Sequence, residues 1–421
     1  MNLKPVDEVV CCCVDYGTFL SLAEKLGEVL DTVYYHSPME DEYRDINRCN
    51  IGTGLENVTR CDEFLEPEVL DQIDLFVVPD IGYTGLQHHL RDMGKAVWGS
   101  NGVSNYELFR TKHLKMLRDL KLPVFPSVRI IGLSELREHL KTVKDKWIKV
   151  NRYRGNMETW KHIDWEHSQP KLESLAVEFG GDQESVVFLV CDPIETPFEI
   201  GYDGWSVDGR FPAKSFFGFE KKNQLYLGSW LDATQLPKEI QTVNRALSAL
   251  LKENEYRNFI ATELRIKDKV PHFIDPTHRM AGQTQEHLLE SCTNLPEVIW
   301  RGANGELIEP DFACKVAAEA TMHYTAGDPC ERKVLKIPKD ARRWFKLYHY
   351  YLRGDMFHFP PGKNDELGVV LGFGDTKEQA VAALKKNFAL IKGEPVEIHD
   401  GGFEDLFEEI TRAEANGIRF T

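Results

Sequence analysis

The chain has 421 residues, 42% of them hydrophobic and 28% charged, which is enough length for two or three globular domains and carries no compositional sign of disorder. A formal charge of −16 argues against a protein whose main task is gripping a nucleic-acid backbone, so nucleic acid is not an expected partner. No apolar run approaches the roughly 20 residues that span a bilayer, and Met1 to Glu8 lack the apolar core of a secretory signal, so the cytoplasm is the expected location, with no membrane partner.

Residues 9–14 read as a strand, and the Cys11-Cys12-Cys13 run inside it as buried thiols. A helix over 18–30 and strands at 32–35, 73–79 and 96–99 follow, an alternation that predicts a parallel α/β sheet. Residues 39–66 are polar and irregular, a long connection. Trp98-Gly-Ser-Asn-Gly-Val-Ser104 breaks the pattern, so a first domain is expected over 1–103. The cysteines at 49, 61, 191, 292, 314 and 330 show no C-x-x-C pairing, and His88-His89 has no partner at metal-ligand spacing.

A helix over 106–120 stops before Pro123. A strand at 127–131, a helix at 134–143, a strand at 147–150 and an apolar strand at 186–190 predict a small lobe over about 125–190, inside a central domain at 104–300. Short strands with turn signals at Asp203-Gly204 and Asp208-Gly209 predict an antiparallel sheet over 198–231. A helix at 238–252 then leads to a strand pair at 258–265 and 271–279. The remainder, 301–421, reads as helical around 310–324, then a strand at 368–373 and helices at 376–391 and 403–416. The aromatic run Trp344 to Tyr351 is expected to fill a core, and Trp160 and Trp165 are candidates for a substrate wall.

The strand pair carries Glu263 and Asp275-Pro-Thr277-His-Arg279. Mg²⁺ prefers hard oxygen ligands and keeps water and phosphates in its shell, so one or two carboxylates suffice. Period-two alternation places Asp275, Thr277 and Arg279 on one face: a carboxylate, an oxygen donor and a guanidinium able to pair with phosphate or carboxylate. Standing alone, acids near strand ends are more often solvated or paired with an arginine. Lys149 sits in an apolar strand and leads into Asn151-Arg-Tyr-Arg154-Gly155-Asn156, a loop able to cover phosphates with N–H groups and guanidiniums. Lys112 and Lys214 are two further candidate phosphate contacts. The chain contains neither a Walker A loop nor a G-x-G-x-x-G that opens a helix.

The order of these features, Lys112, Lys149 with the Gly155 loop, an apolar strand into Cys191-Asp192, then Glu263 and Asp275-x-Thr277-x-Arg279, resembles the ATP-grasp superfamily over roughly residues 104–279. Within it the layout is similar to glycinamide ribonucleotide synthetase, the phosphoribosylamine–glycine ligase; compare Asn105-Tyr-Glu-Leu-Phe-Arg-Thr-Lys112, Leu122-Pro-Val-Phe125, and the stretches 310–318 and 369–380.

The resemblance implies mixed α/β and α+β architecture: a Rossmann-like N-terminal domain, a two-lobed ATP-grasp domain and a small C-terminal α/β domain. It also implies an ATP- and Mg²⁺-dependent ligase that joins a small-molecule carboxylate to an amine through an acyl phosphate, releasing ADP. Lys112, Lys149, Arg154, Gly155 and Asp192 would then serve ATP, Glu263, Asp275 and Thr277 the Mg²⁺, and Arg279 and Lys214 the reacting groups. Three departures stand out: Thr277 replaces the usual Asn, Val14-Asp-Tyr-Gly-Thr18 replaces the phosphoribosyl loop, and the glycine-rich GpNTGGMG stretch is missing. They point to another carboxylate or amine, with Asp15 to Thr18 as a place of altered choice. The alternative reading is a protein of this shape that binds a nucleotide or metabolite without turnover.

Overall fold

The computed structural model describes residues 3–38, 50–152, 159–196, 198–327, 331–361 and 365–421. Arg154 and Gly155 therefore lie outside the described residues.

Strands β1 (Val10–Val14), β2 (Thr32–His36), β3 (Thr59–Arg60), β4 (Leu75–Val78) and β5 (Ala96–Gly99) form a parallel array in the order β5-β4-β1-β2-β3. Strand β1 is apolar without alternation because both its faces are covered: Cys11 and Cys13 join the main core and Cys12 and Val14 a second cluster with Phe76 and Val78. His88 and His89 are exposed on the helix Thr84–Asp92.

Strands β6 (Ser127–Ile131), β7 (Lys146–Val150), β8 (Thr159–His162) and β9 (Val187–Cys191) make a separate antiparallel sheet in the order β6-β9-β7-β8. Leu136 and Leu140 of the helix Leu133–Leu140 and Leu172 of the helix Trp165–Phe179 pack on Ile148 and Phe188. The second helix, hidden in the sequence by Pro170, is capped by Asp164, which accepts from the His167 N–H at 3.1 Å. Trp160 and Trp165 pack against this lobe's core and do not line the cleft described below; Trp147 does.

Strands β10 (Glu199–Val207), β11 (Lys214–Lys221), β12 (Leu225–Asp232), β13 (Arg257–Lys267) and β14 (Val270–Thr277) are antiparallel, and β13 meets β5 at Arg257↔Gly99. The N-terminal and central strands thus belong to one sheet of fourteen strands among the described residues. Asp208-Gly209 makes the expected turn, with φ of 50° and 77°, but Asp203-Gly204 does not: it lies inside β10, where the buried Asp203 carboxylate accepts from Tyr226 Oη at 2.8 Å.

The helix expected around 310–324 is corrected to a strand, β15 (Val316–Tyr324), inserted between β12 and the strand Glu366–Gly374. Alanine favours helix, but pairing on both edges and burial on both faces outweigh local propensity here, and Val316, Ala317, Ala318 and Ala320 are all fully buried. The aromatic run does fill a core at Phe345, Tyr350 and Tyr351.

Candidate active site

The small sheet, the face of β10–β14, the N-terminal loops and the C-terminal residues around Tyr348 enclose a cleft of about 1670 Å³. Its floor follows from strand register. Gly201 of β10 lies opposite Gly218 of β11 and Glu263 of β13, and Glu263 opposite Asp275 of β14. Alternation then puts Glu199, Asp203, Glu220, Tyr226 and Thr277 on the same face. A Cβ on Gly218 would come within 2.5 Å of the Tyr226 ring, so glycine lets that phenol lie across the floor and reach Asp203. Between Glu263 and Leu264 the β13–β14 register slips by one residue, a bulge of the kind that re-aims side chains next to sites. Pro276 is tolerated because, among the described strands, β14 pairs only with β13.

Glu199, Glu220 and Glu263 offer oxygens that all lie within 4.8 Å of one another. Burial, then the neighbouring Glu199, pushes the Glu263 carboxyl well above the usual carboxylate range. Burial and the Glu263 charge push Glu220 up to about 8. Asp275 behaves oppositely. Burial alone would raise it, but Lys149, Arg110 and Lys222 together hold it well below the usual range; Arg110 Nη1 lies 3.4 Å from Oδ1 and Lys222 Nζ 3.6 Å from Oδ2. Burial lowers the Lys149 ammonium, while the Asp275 charge opposes the fall. One side of the floor is a cluster of crowded carboxyl oxygens, with Glu199 also accepting from Arg265 Nε at 2.7 Å, and beside it stand Arg110, Lys149 and Lys222.

The sequence-level candidates divide on this geometry. Glu263, Asp275, Thr277, Lys149, Asp192 and Arg279 line the cleft. Asp192 is bound to Lys146 at 2.7 Å. Arg279 Nε donates to Glu107 at 2.9 Å and lies 3.6 Å from Asp80. Lys112 and Lys214 do not line the cleft. Lys112 is exposed, 4.6 Å from the Phe109 ring centroid, and Lys214 lies 5.3 Å from that of Trp230.

The reason for Lys112 is a break in the helix expected over 106–120. Phe109 is extended (φ −128°, ψ 104°) between the helices Ser104–Leu108 and Arg110–Asp119 and bridges to Arg152, while the Arg110 N–H donates to Asn151 O at 2.9 Å. That kink turns Arg110 inward and leaves Lys112 outward. Lys214 opens β11 at its far end, twelve residues before Tyr226. Sequence reasoning missed Arg110, Lys222, Glu199 and Glu220. Only the presence of a basic residue two positions before Lys112 could have pointed to the first.

No family model matches the chain, and no curated protein sequence matches it. Solved structures do. The phosphoribosylamine–glycine ligase of Thermotoga maritima superposes on 93% of this chain and 98% of its own, with a TM-score of 0.64 at 14% identity. The chain has the ATP-grasp fold. An L-amino acid ligase from Bacillus licheniformis matches over 93% of this chain and 98% of its own (TM-score 0.61, 13% identity). Biotin carboxylase from Campylobacter jejuni, solved as a β-γ-ATP complex, matches over 93% of this chain and 92% of its own (TM-score 0.61, 11% identity). No helix among the described residues is long and apolar enough to cross a membrane.

Proposed function

We propose that the protein is an ATP- and Mg²⁺-dependent ligase that joins a small-molecule carboxylate to an amine and releases ADP. The observation that carries this reading is the pairing, on one cleft floor of an ATP-grasp fold, of the Glu199–Glu220–Glu263 oxygen cluster with the Arg110, Lys149 and Lys222 cations around Asp275. A carboxylate is a poor acceptor for an amine until one of its oxygens becomes a leaving group. Attack of that oxygen on the γ-phosphorus of ATP expels ADP and gives an acyl phosphate; attack of the amine then expels phosphate, the amine losing a proton.

In phosphoryl transfer a protein contributes mainly positioning and charge neutralisation. Lys149, Arg110 and Lys222 serve the phosphate oxygens in this reading. The donor set fits Mg²⁺, since it is all oxygen and its carboxylates are held near one another at a cost that a divalent cation relieves; Glu263 and Asp275 would hold it, with Glu220 and the Thr277 hydroxyl on the same face. When bound, Mg²⁺ supplies neutralisation of the charge on the transferring phosphoryl group. Arg279, fixed by Glu107 and Asp80, faces the acceptor carboxylate.

The test is ADP release by the full chain with MgATP and a pool of carboxylic acids and amines. Substrate-dependent release that falls on the order of a hundredfold or more in Asp275→Asn supports the reading. Nucleotide binding with no turnover on any acid replaces it with a binding protein, and an unchanged rate in a folded Asp275→Asn removes the metal assignment.

A further inference from the structure

A second, small pocket of about 10 Å³ shares Arg110, Lys149 and Asp275 with the cleft and adds His113, which the cleft does not reach. Its volume is that of about one water molecule. Arg110 and His113 stand three residues apart on the helix Arg110–Asp119 and so share one face of it. Both are buried, at 8% and 3% exposure.

Each of these two side chains has one polar atom left over. The Arg110 guanidinium meets Asp275 Oδ1 through Nη1 at 3.4 Å and donates to Thr159 Oγ1 through Nη2 at 3.2 Å, but its Nε–H has no hydrogen-bond partner among the described residues. His113 Nε2 lies 3.1 Å from Phe273 O. A carbonyl only accepts, so the ring hydrogen sits on Nε2. Burial pushes the imidazole down to about 4 and keeps it neutral, which makes Nδ1 a bare acceptor, and Nδ1 too is unpartnered among the described residues. Native interiors rarely leave such atoms unmet unless a water or ligand completes them. A cation here would meet the Arg110 and Lys149 charges and an anion the Asp275 carboxylate; a neutral molecule with donors and an acceptor meets neither penalty.

We propose that one water molecule binds in this pocket, accepting from Arg110 Nε–H and donating to His113 Nδ1 and to the Asp275 carboxylate, and that His113 is thereby a positioning residue for Arg110. Three hydrogen bonds are the usual complement of a buried water. A contact at Nε fixes the plane of the guanidinium, so its fork keeps its direction when a phosphate arrives beside Asp275. That last role rests on the ligase reading, which assigns Arg110 to the phosphates; the water site itself does not.

Nuclear magnetic resonance on the full chain, labelled with nitrogen-15 in histidine and arginine, tests the site without nucleotide. Signals are assigned by their loss in His113→Phe and Arg110→Lys. The parent should show His113 with its hydrogen on Nε2 and a slowly exchanging Arg110 Nε–H. His113→Phe keeps the edge-on contact with the Phe273 ring, 5.1 Å away at 90°, and removes both nitrogens. His113→Asn puts an acceptor oxygen near the Nδ1 position and is too short to reach the Phe273 carbonyl. Both variants lose that carbonyl bond, so a difference between them reads the acceptor alone. Exchange of Arg110 Nε–H should quicken on the order of tenfold in His113→Phe and stay near the parent's in His113→Asn. MgATP affinity in calorimetry should fall on the order of fivefold in the first and recover in the second. A hydrogen on Nδ1, an Arg110 Nε–H that exchanges like an exposed one, or folded variants that equal each other in exchange, or in affinity while the parent binds MgATP, overturns the proposal. A parent with the expected tautomer and exchange that fails to bind MgATP overturns the ligase reading instead and leaves the water site standing.

Discussion

Replacing Glu286 by glutamine isolates what a buried, unpartnered acid does to this protein. Burial pushes its carboxyl from 4.5 up to about 8, with Lys346 opposing the rise and Asp15 adding to it. Because the folded state holds this proton more tightly than the unfolded chain does, stability is full below about pH 4.5 and is lost as pH rises toward 8. Each unit is worth about 1.4 kcal/mol, so ionising the native group is opposed by about 5 kcal/mol; relaxation around the charge reduces the realised penalty to about 2 kcal/mol. Glu286→Gln keeps the shape and removes the titration. Thermal melts at pH 5 and pH 8 are the assay: the variant should match the parent at pH 5 and melt on the order of 3 °C higher at pH 8. Parallel pH dependence in the two proteins, or a variant less stable at pH 8, would refute the reasoning by showing that the native carboxylate is ionised and paired.

Arg110→Ala should weaken MgATP binding tenfold or more in calorimetry, whereas Lys112→Ala should change it less than twofold, because Arg110 faces Asp275 and Lys112 faces solvent. Gly218→Ala places a Cβ 2.5 Å from the Tyr226 ring and should cost about 1–3 kcal/mol in denaturant unfolding, while Gly85→Ala, with nothing within 4 Å, should be neutral or slightly stabilising. Equal effects of the two glycine substitutions would contradict the role given to the Tyr226 crossing.

Much of the strand inventory was legible because apolar runs and alternation report burial directly. The run at 9–14, the apolar strand before Asp192 and the pair bearing Glu263 and Asp275 all stand where periodicity put them. The failures share one cause. At 310–324 an alanine-rich segment has helical propensity, but its pairing partners, β12 and the strand Glu366–Gly374, are distant in sequence. At Asp203-Gly204 a turn signal is overridden by a hydrogen bond from Tyr226, a residue on another strand.

For the site, local sequence determined which residue types were available: a carboxylate and an oxygen donor two apart on β14, a lysine inside an apolar strand, an acid on β13. Those follow from the period of a strand and the chemistry of oxygen and nitrogen. Tertiary structure alone decided that Glu199, Glu220 and Glu263, spread over 65 residues of chain, bring oxygens within 4.8 Å of one another, and that Arg110 rather than Lys112 faces Asp275. Cross-strand register sets the first and a kink at Phe109 pinned by the Asn151–Arg152 backbone sets the second. Both are contacts between segments that no local pattern encodes.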